Sequence, residues 1–364
     1  TKYLLTLLSY FINDKVMVKE GITVLYSRLK SQKYHIVGSH SAVKKCHWTH
    51  AALLERRFCY KCLFYGIETH RCVQMSPAVL WCWNRCLHCW RFRPSDAGID
   101  FDDTRLPTVD DPEFIADMVI KEHLRILSGY FGNPKTDKEL LKEAMEPKHV
   151  AISLTGEATL YPRLSELIEV FHRRSLTTFL VTRGIRPDVL ASLSEEPTQL
   201  YISIEAYSKE TYNYFNQPVV PNGWELTLKT LEILPSFSSP TVLRITLVKG
   251  FNTHEKAIHE FAKIIEIAEP TYVEPKAYMH VGASITRLRR EHMPTFSEVM
   301  EFSKKLAELT GYYLVTYSVP SRVVLLSRFK KQPFRYGKGC PWGWSKPDEG
   351  SEESGEYGKL KHLV

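Results

Sequence analysis

At 364 residues, with 44% hydrophobic and 24% charged side chains, the chain is long enough for one large α/β barrel or two ordinary domains, and its apolar content is that of a soluble protein. The net charge of +7 permits a nucleic-acid partner without demanding one. The apolar run over residues 3–12 is only ten residues long. A bilayer span needs roughly 20, so a membrane anchor there is excluded and a packed helix is predicted.

In chain order, residues 1–45 read as that helix, a short strand over 22–25, and a basic linker carrying Lys30, Lys33, Lys44 and Lys45. Residues 42–57 lack Gly and Pro and read as helix. Seven of the eight cysteines then fall between Cys46 and Cys89. With no secretory signal in view, that clustering points to metal chemistry in a reducing compartment, the cytoplasm, rather than to disulfides. Cys340 stands apart and reads as a buried thiol. Apolar, strand-like runs at 77–82, 149–155, 177–182, 200–205, 242–248 and 272–278 alternate with helical segments at 113–131, 164–174, 224–234 and 254–268. This is the pattern of stacked βα units. Six such repeats predict a partial (βα)6 TIM-like barrel with its chemistry at the C-terminal strand ends; a flavodoxin-like doubly wound sheet has the same periodicity. A helix at 296–310 and strands at 313–318 and 322–327 extend the fold. The expected divisions are 1–75, an N-terminal extension; 76–285, the barrel; 286–346, a C-terminal extension; and 347–364, a tail rich in Asp, Glu, Ser and Gly that is expected to be disordered.

Cys82, Cys86 and Cys89 form C-x3-C-x2-C. Three thiolates so spaced in one loop can each ligate one iron of a [4Fe-4S] cube and leave the fourth iron open to a substrate. Zinc is the competing metal, with His88 or a distant cysteine as its fourth ligand. Upstream, Cys46, Cys59 and Cys72 recur with twelve residues between successive members, a second trio suited to an auxiliary cluster. Cys62 closes that site as a fourth ligand in one reading; in another, Cys59, Cys62, His70 and Cys72 hold zinc. Lys61, between Cys59 and Cys62, is a candidate Schiff-base lysine, because surroundings that depress an amine's pKa make it nucleophilic.

The C-x3-C-x2-C loop resembles the signature of the radical S-adenosylmethionine (radical SAM) enzymes, with His88 where an aromatic residue is usual. That resemblance implies that the open iron binds SAM, with Gly156, Glu157, Thr182, Ser203, Glu205 and His88 as further cosubstrate contacts. Arg183 ends the third strand where that superfamily usually carries Asn. The two trios with Lys61, together with SLTGEATLYP (153–162), LYISIEA (200–206), RITLVKGFN (244–252), EPKAYMHVGAS (274–284) and SRVVLLSR (321–328), are similar to the tRNA 4-demethylwyosine synthases. This family resemblance implies two [4Fe-4S] clusters, the second on Cys46, Cys59 and Cys72, and Lys61 as the pyruvate-binding residue. It further implies tRNA(Phe) bearing N1-methylguanosine at position 37 as substrate and a carbon-carbon lyase class. Only 45 residues precede Cys46, too few for a fused flavodoxin-like domain, so an archaeal-type monomer with an external electron donor is expected. Basic residues interleaved with aromatics, among them Arg71, Arg91, Arg93, Arg287, Arg290, Lys330 and Lys331, are the expected RNA surface, with Trp81, Trp83 and Trp90 as stacking partners. The competing classes are a radical SAM enzyme on another target and a zinc and RNA-binding module.

Overall fold

Residues 21–99 and 101–340 are described by the structure, a computed structural model. Residues 21–31 are helical (α1), where a strand is expected at 22–25. Leu25 and Leu29, about one helical turn apart, are both fully buried in the cluster that holds Ala42, Leu80 and Trp81, on one face of the helix. The region 42–57 divides. A hairpin of β1 (His35–Val37) and β2 (Ser41–Val43) comes first, and α2 (His47–Glu55) begins only after Cys46. A short helix α3 (Tyr60–Tyr65) follows, and β3 (Cys72–Ser76) opens the main sheet.

The strand expected at 77–82 lies five residues earlier, at β3. Pro77 cannot donate to a ladder, which favours ending the strand there. The apolar run after it, Ala78 to Trp81, is buried as irregular chain beneath the cysteine loop. β3 thus reaches the boundary drawn at 75/76, and β1 and β2 continue the same sheet rather than forming a separate unit. The remaining elements are α4 (Pro112–Ser128), α5 (Lys138–Ala144), β4 (His149–Ile152), α6 (Leu164–Arg173), β5 (Thr177–Thr182), α7 (Pro187–Ala191), β6 (Gln199–Ile204), α8 (Lys209–Asn216), α9 (Gly223–Ile233), β7 (Thr241–Leu247), α10 (Glu255–Ala268), β8 (Tyr272–Ala277), α11 (Phe296–Thr310), β9 (Tyr313–Ser318) and β10 (Val323–Ser327). The helices start at conventional stops: Asp111 caps α4 ahead of Pro112, and Thr295 with Glu298 forms a capping box on α11. The run 3–12 and the acidic tail from 347 lie outside the described residues.

The strand order is β1-β2-β3-β4-β5-β6-β7-β8-β10-β9, with β3 to β8 all parallel. A doubly wound sheet reverses its order at a switch point. Here six parallel strands follow one another without reversal, the winding of a barrel. Alternation along each strand then sorts the side chains. Leu180, Leu200, Ile202, Leu243, Ile245 and Val273 face the helix layer in the large core. Phe179, Tyr201, Val242 and Tyr272 face the other way, into a second cluster completed by Tyr60, Phe64 and Tyr65 of α3. Helix α3 therefore fills the interior of the sheet, and the same alternation puts Arg244, Glu274 and Lys276 on the interior face.

The chain segment beyond β10 closes over α3. Tyr336 and Gly339 donate backbone hydrogen bonds to Tyr65 and Gly66, the ring of Tyr336 meets Phe179 edge-on, and Cys340 is disulfide-bonded to Cys62. This corrects the reading of Cys340 as a buried thiol and of the cysteines as disulfide-free. The two residues are 278 apart in sequence, and only the return of this segment onto α3 makes them neighbours.

Candidate active site

The loop carrying Cys82, Cys86 and Cys89 follows the C-terminal end of β3 and is fastened from several sides. Arg91 donates to Leu80 O at 2.8 Å, and Arg287 donates to Leu87 O at 3.1 Å and to Cys89 O, while pairing with Asp96. Two glycines allow close backbone approach to it. Gly156, at φ +72°, has space for no Cβ because the Ala78 carbonyl would lie 1.8 Å away. At Gly282, φ +63°, the obstruction is the Trp90 carbonyl at 2.3 Å. Arg91, expected on an RNA surface, is instead 2% exposed, Arg71 and Arg93 are buried as well, and Trp81 belongs to the core. Arg91 and Arg93 fasten the loop and its flanks, and Arg71 instead bonds Glu146 and Glu68. Arg290, Lys330 and Lys331 are exposed.

Burial pushes the Cys82 thiol up to about 12 and raises Cys86, against the opposing pull of Arg91 at Cys82 and of Arg183 at Cys86. A buried thiolate set of this kind is stable only with cationic metal to neutralise it. Beside the loop, a cleft of about 400 Å³ is lined by Ser76, Gly156, Glu157, Thr182, Arg183 and Ser203, at the C-terminal ends of β3 to β6. Of the sequence-predicted cosubstrate residues, Gly156, Glu157, Thr182 and Ser203 line this cleft, whereas Glu205 and His88 do not, and both carboxylates are already engaged. Glu157 is 1% exposed and accepts from Thr159 N and Oγ1, from Thr182 Oγ1 at 2.7 Å and from Arg183 N at 2.9 Å. Glu205 is held by Arg183, by Asn216 Nδ2 at 3.1 Å and by His88 Nε2 at 3.2 Å. His88 stacks on Phe215, with ring centroids 5.1 Å apart.

The second constellation lies deeper in the barrel. Cys46 and Cys59 occupy the N-cap positions of α2 and α3, where backbone N–H groups face their sulfurs, and Cys72 opens β3 on its interior face. Burial raises Cys59 to about 11 and Cys72 to about 12, with the neighbouring thiols adding to the rise and Lys61 opposing it. The zinc set is not assembled. Cys62 is in the disulfide, and His70 gives its Nε2 to Glu143 at 2.6 Å. Among the described residues no three His, Cys, Asp or Glu side chains gather around a single metal ion. Both trios are thiol-only and soft, with Cys82 and Cys86 buried and the other four half-buried, and this donor chemistry fits iron-sulfur clusters with an open iron.

Lys61 projects from α3 over the Tyr201 ring at 4.1 Å and the Phe179 ring at 5.3 Å. Burial, and then the nearby Arg244, lower its amine from 10.5 to about 8, although Glu274 pulls the other way. Around it stands a set of interior charges that sequence reasoning missed, with Glu274 fully buried and Arg244 and Lys276 half-buried. Glu274 accepts from Tyr60 OH at 2.9 Å, Tyr65 OH at 2.5 Å and Arg244 Nε at 3.0 Å. Arg244 also lies over Tyr201, at 4.7 Å. Lys276, likewise lowered to about 8 by burial, sits over Tyr60 and donates to Ser321 O at 2.7 Å. The available signal was ionic residues at interior positions of otherwise apolar strands, TVLRITL and YVEPKA. Val181 lines the upper cleft and packs on the aromatic cluster below, so the two sites stack along the barrel interior. Glu274→Gln, which leaves the interior Arg244 without its counter-charge, is expected to cost about 3 kcal/mol, read as a lower urea midpoint. An unchanged midpoint would show that Arg244 is neutralised by another group.

The fold and the cysteine loop define a radical SAM protein: residues 77–262 match the radical SAM superfamily, and residues 267–328 match wyosine base formation. The S-adenosyl-L-methionine-dependent tRNA 4-demethylwyosine synthase of Pyrococcus abyssi is 48% identical over 309 residues, covering 84% of this chain and 88% of that one. Its counterpart in Methanocaldococcus jannaschii is 44% identical, covering 83% and 95%. A solved structure of TYW1 with a lysine-pyruvate adduct bound superposes with a TM-score of 0.76 at 40% identity, covering 86% of this chain and 98% of that one. The chain belongs to the tRNA 4-demethylwyosine synthase family.

Proposed function

We propose that this protein forms 4-demethylwyosine by condensing N1-methylguanosine-37 of tRNA(Phe) with carbons of pyruvate, and that it does so with two [4Fe-4S] clusters. The observation that carries the reading is the chamber around Lys61: an interior lysine over Tyr201 and Phe179 with a depressed amine pKa, beside the three thiols and close to Arg244 and Glu274. The similarity to a TYW1 structure holding a lysine-pyruvate adduct supports the same assignment.

When bound at Cys82, Cys86 and Cys89, a cluster supplies the electron that cleaves SAM to the 5′-deoxyadenosyl radical. The chain's own residues do the rest of the positioning. Gly156, Thr182 and Ser203 border the cleft that receives the cosubstrate. Glu157 ties the ends of β4 and β5 together through Thr182 and Arg183. Lys61 attacks the ketone carbon of pyruvate as the neutral amine, loses water and holds the acid as an imine. Arg244 and Lys276 supply the positive charge that a buried carboxylate requires. Cys46, Cys59 and Cys72 hold the second cluster at the same chamber. Loss of the carboxylate carbon places the enzyme among carbon-carbon lyases, and its tRNA substrate places it in the cytoplasm. Among the described residues no helix is long and apolar enough to cross a membrane.

Anaerobic incubation with SAM, pyruvate, dithionite and tRNA(Phe) carrying N1-methylguanosine tests this. Mass spectrometry of the digested nucleosides is expected to show a tricyclic guanosine that takes label from pyruvate. Conversion of SAM to 5′-deoxyadenosine with unaltered tRNA would assign the radical chemistry to another substrate.

A further inference from the structure

At the end of β5, Arg183 reaches across the cleft to the cysteine loop. Its Nη2 donates to Cys86 Sγ at 3.0 Å and lies 3.0 Å from His88 Nε2, while Nη1 pairs with Glu205 and lies 3.3 Å from Ser203 O. The backbone N–H of the same residue is fixed by Glu157 at 2.9 Å. Asn216 repeats the arrangement more weakly, with Nδ2 3.5 Å from the same sulfur and 3.1 Å from Glu205. The Arg183 side chain is 14% exposed and that of Glu205 is 1% exposed, so solvent screens neither charge well. No other arginine is placed by the structure with a hydrogen bond to a thiol of this loop among the described residues.

We propose that Arg183 is a positioning residue that sets how readily the cluster on Cys82, Cys86 and Cys89 accepts an electron, by holding a guanidinium N–H against the Cys86 sulfur. The inference rests on the assignment of that trio as cluster ligands. Uptake of one electron from a low-potential donor adds one negative charge to the cluster and its thiolates. A buried cation and N–H···S hydrogen bonds stabilise that added charge, and both are known levers on cluster potential. Glu205 aims the guanidinium and offsets part of its charge, so the two residues act with opposite sign. A residue with a merely structural role would not separate them in this way.

The test uses the full chain with Cys46, Cys59 and Cys72 replaced by Ala, so that one cluster is read, titrated anaerobically with dithionite without SAM and followed by electron paramagnetic resonance. Arg183→Met is expected to disfavour reduction roughly tenfold, equivalent to about 59 mV for one electron. Arg183→Lys is expected to retain most of the effect, and Glu205→Gln to shift the potential the opposite way. An Arg183→Met protein with full iron content and an unmoved potential would overturn the inference, as would a shift of the same sign in Arg183→Met and Glu205→Gln. So would a shift that appears only when SAM is added, because the arginine would then act on the cosubstrate. Absence of bound iron and sulfide while Cys82, Cys86 and Cys89 are intact would overturn the ligand assignment itself.

Discussion

Lys61→Ala is expected to reduce pyruvate-dependent formation of the tricyclic base by on the order of 10⁶-fold, the scale on which removal of a covalent nucleophile acts, while SAM cleavage to 5′-deoxyadenosine continues. The reason is spatial. Lys61 lies on α3 over Tyr201 and Phe179, whereas the cleft proposed for SAM lies above at the strand ends. Lys61→Arg, which keeps the cation but forms no stable imine, should fail equally. Cyanoborohydride trapping of pyruvate on the intact protein gives a second readout with its own pH dependence. Only the neutral amine attacks, and burial lowers Lys61 from 10.5 to about 8. Trapping should therefore rise with pH and level off above about 8, instead of climbing toward 10.5 as an exposed lysine would. Undiminished product from Lys61→Ala, with unchanged pyruvate dependence, would remove the lysine from the mechanism.

The sequence made the periodic part of the molecule legible. Strands β5 and β9 and helix α11 fall where the apolar runs and the 3.6-residue period put them, because residues 177–182 form a β-prone run packed on both faces and residues 296–310 carry one apolar face. It was silent where burial depends on distant partners. The run 77–82 is apolar because it lies under the loop, not because it is a strand. Helix α3 is too short to announce itself, and its aromatic residues matter only because they fill the barrel. The site divides the same way. Both cysteine trios and Lys61 stood out as candidates by residue type and spacing, with the upstream ligand set and the role of Lys61 supplied by the family resemblance; the structure puts Lys61 beside Cys59 and Cys72. Arg244, Glu274 and Lys276 come from β7 and β8, about 180 to 215 residues beyond Lys61, and meet it only through the curvature of the sheet. The same holds for Arg183, whose thiol partner lies 97 residues earlier.

Replacing the two cysteine trios separately is expected to split the reaction in two. Cys72 opens β3 and the Cys82 loop follows its other end; at roughly 3.3 Å per residue, the five residues of that strand separate the sites by about 13 Å. Their surroundings are also distinct. Arg91, Arg183 and Glu157 bear on the first trio, and Lys61 with its neighbours bears on the second. Sites that share no partner lose function independently. Ala at Cys82, Cys86 and Cys89 should therefore abolish 5′-deoxyadenosine formation outright, since nothing else in the cleft can deliver an electron to the sulfonium. Ala at Cys46, Cys59 and Cys72 should leave about four iron atoms per chain and continued SAM cleavage, now uncoupled from any change in the tRNA. Iron analysis, 5′-deoxyadenosine yield and nucleoside mass spectrometry on the same samples separate the outcomes. Full product from the protein lacking the upstream trio would show that its thiols hold no cluster the reaction needs. Loss of SAM cleavage in that protein would show that the two sites are coupled through the barrel wall.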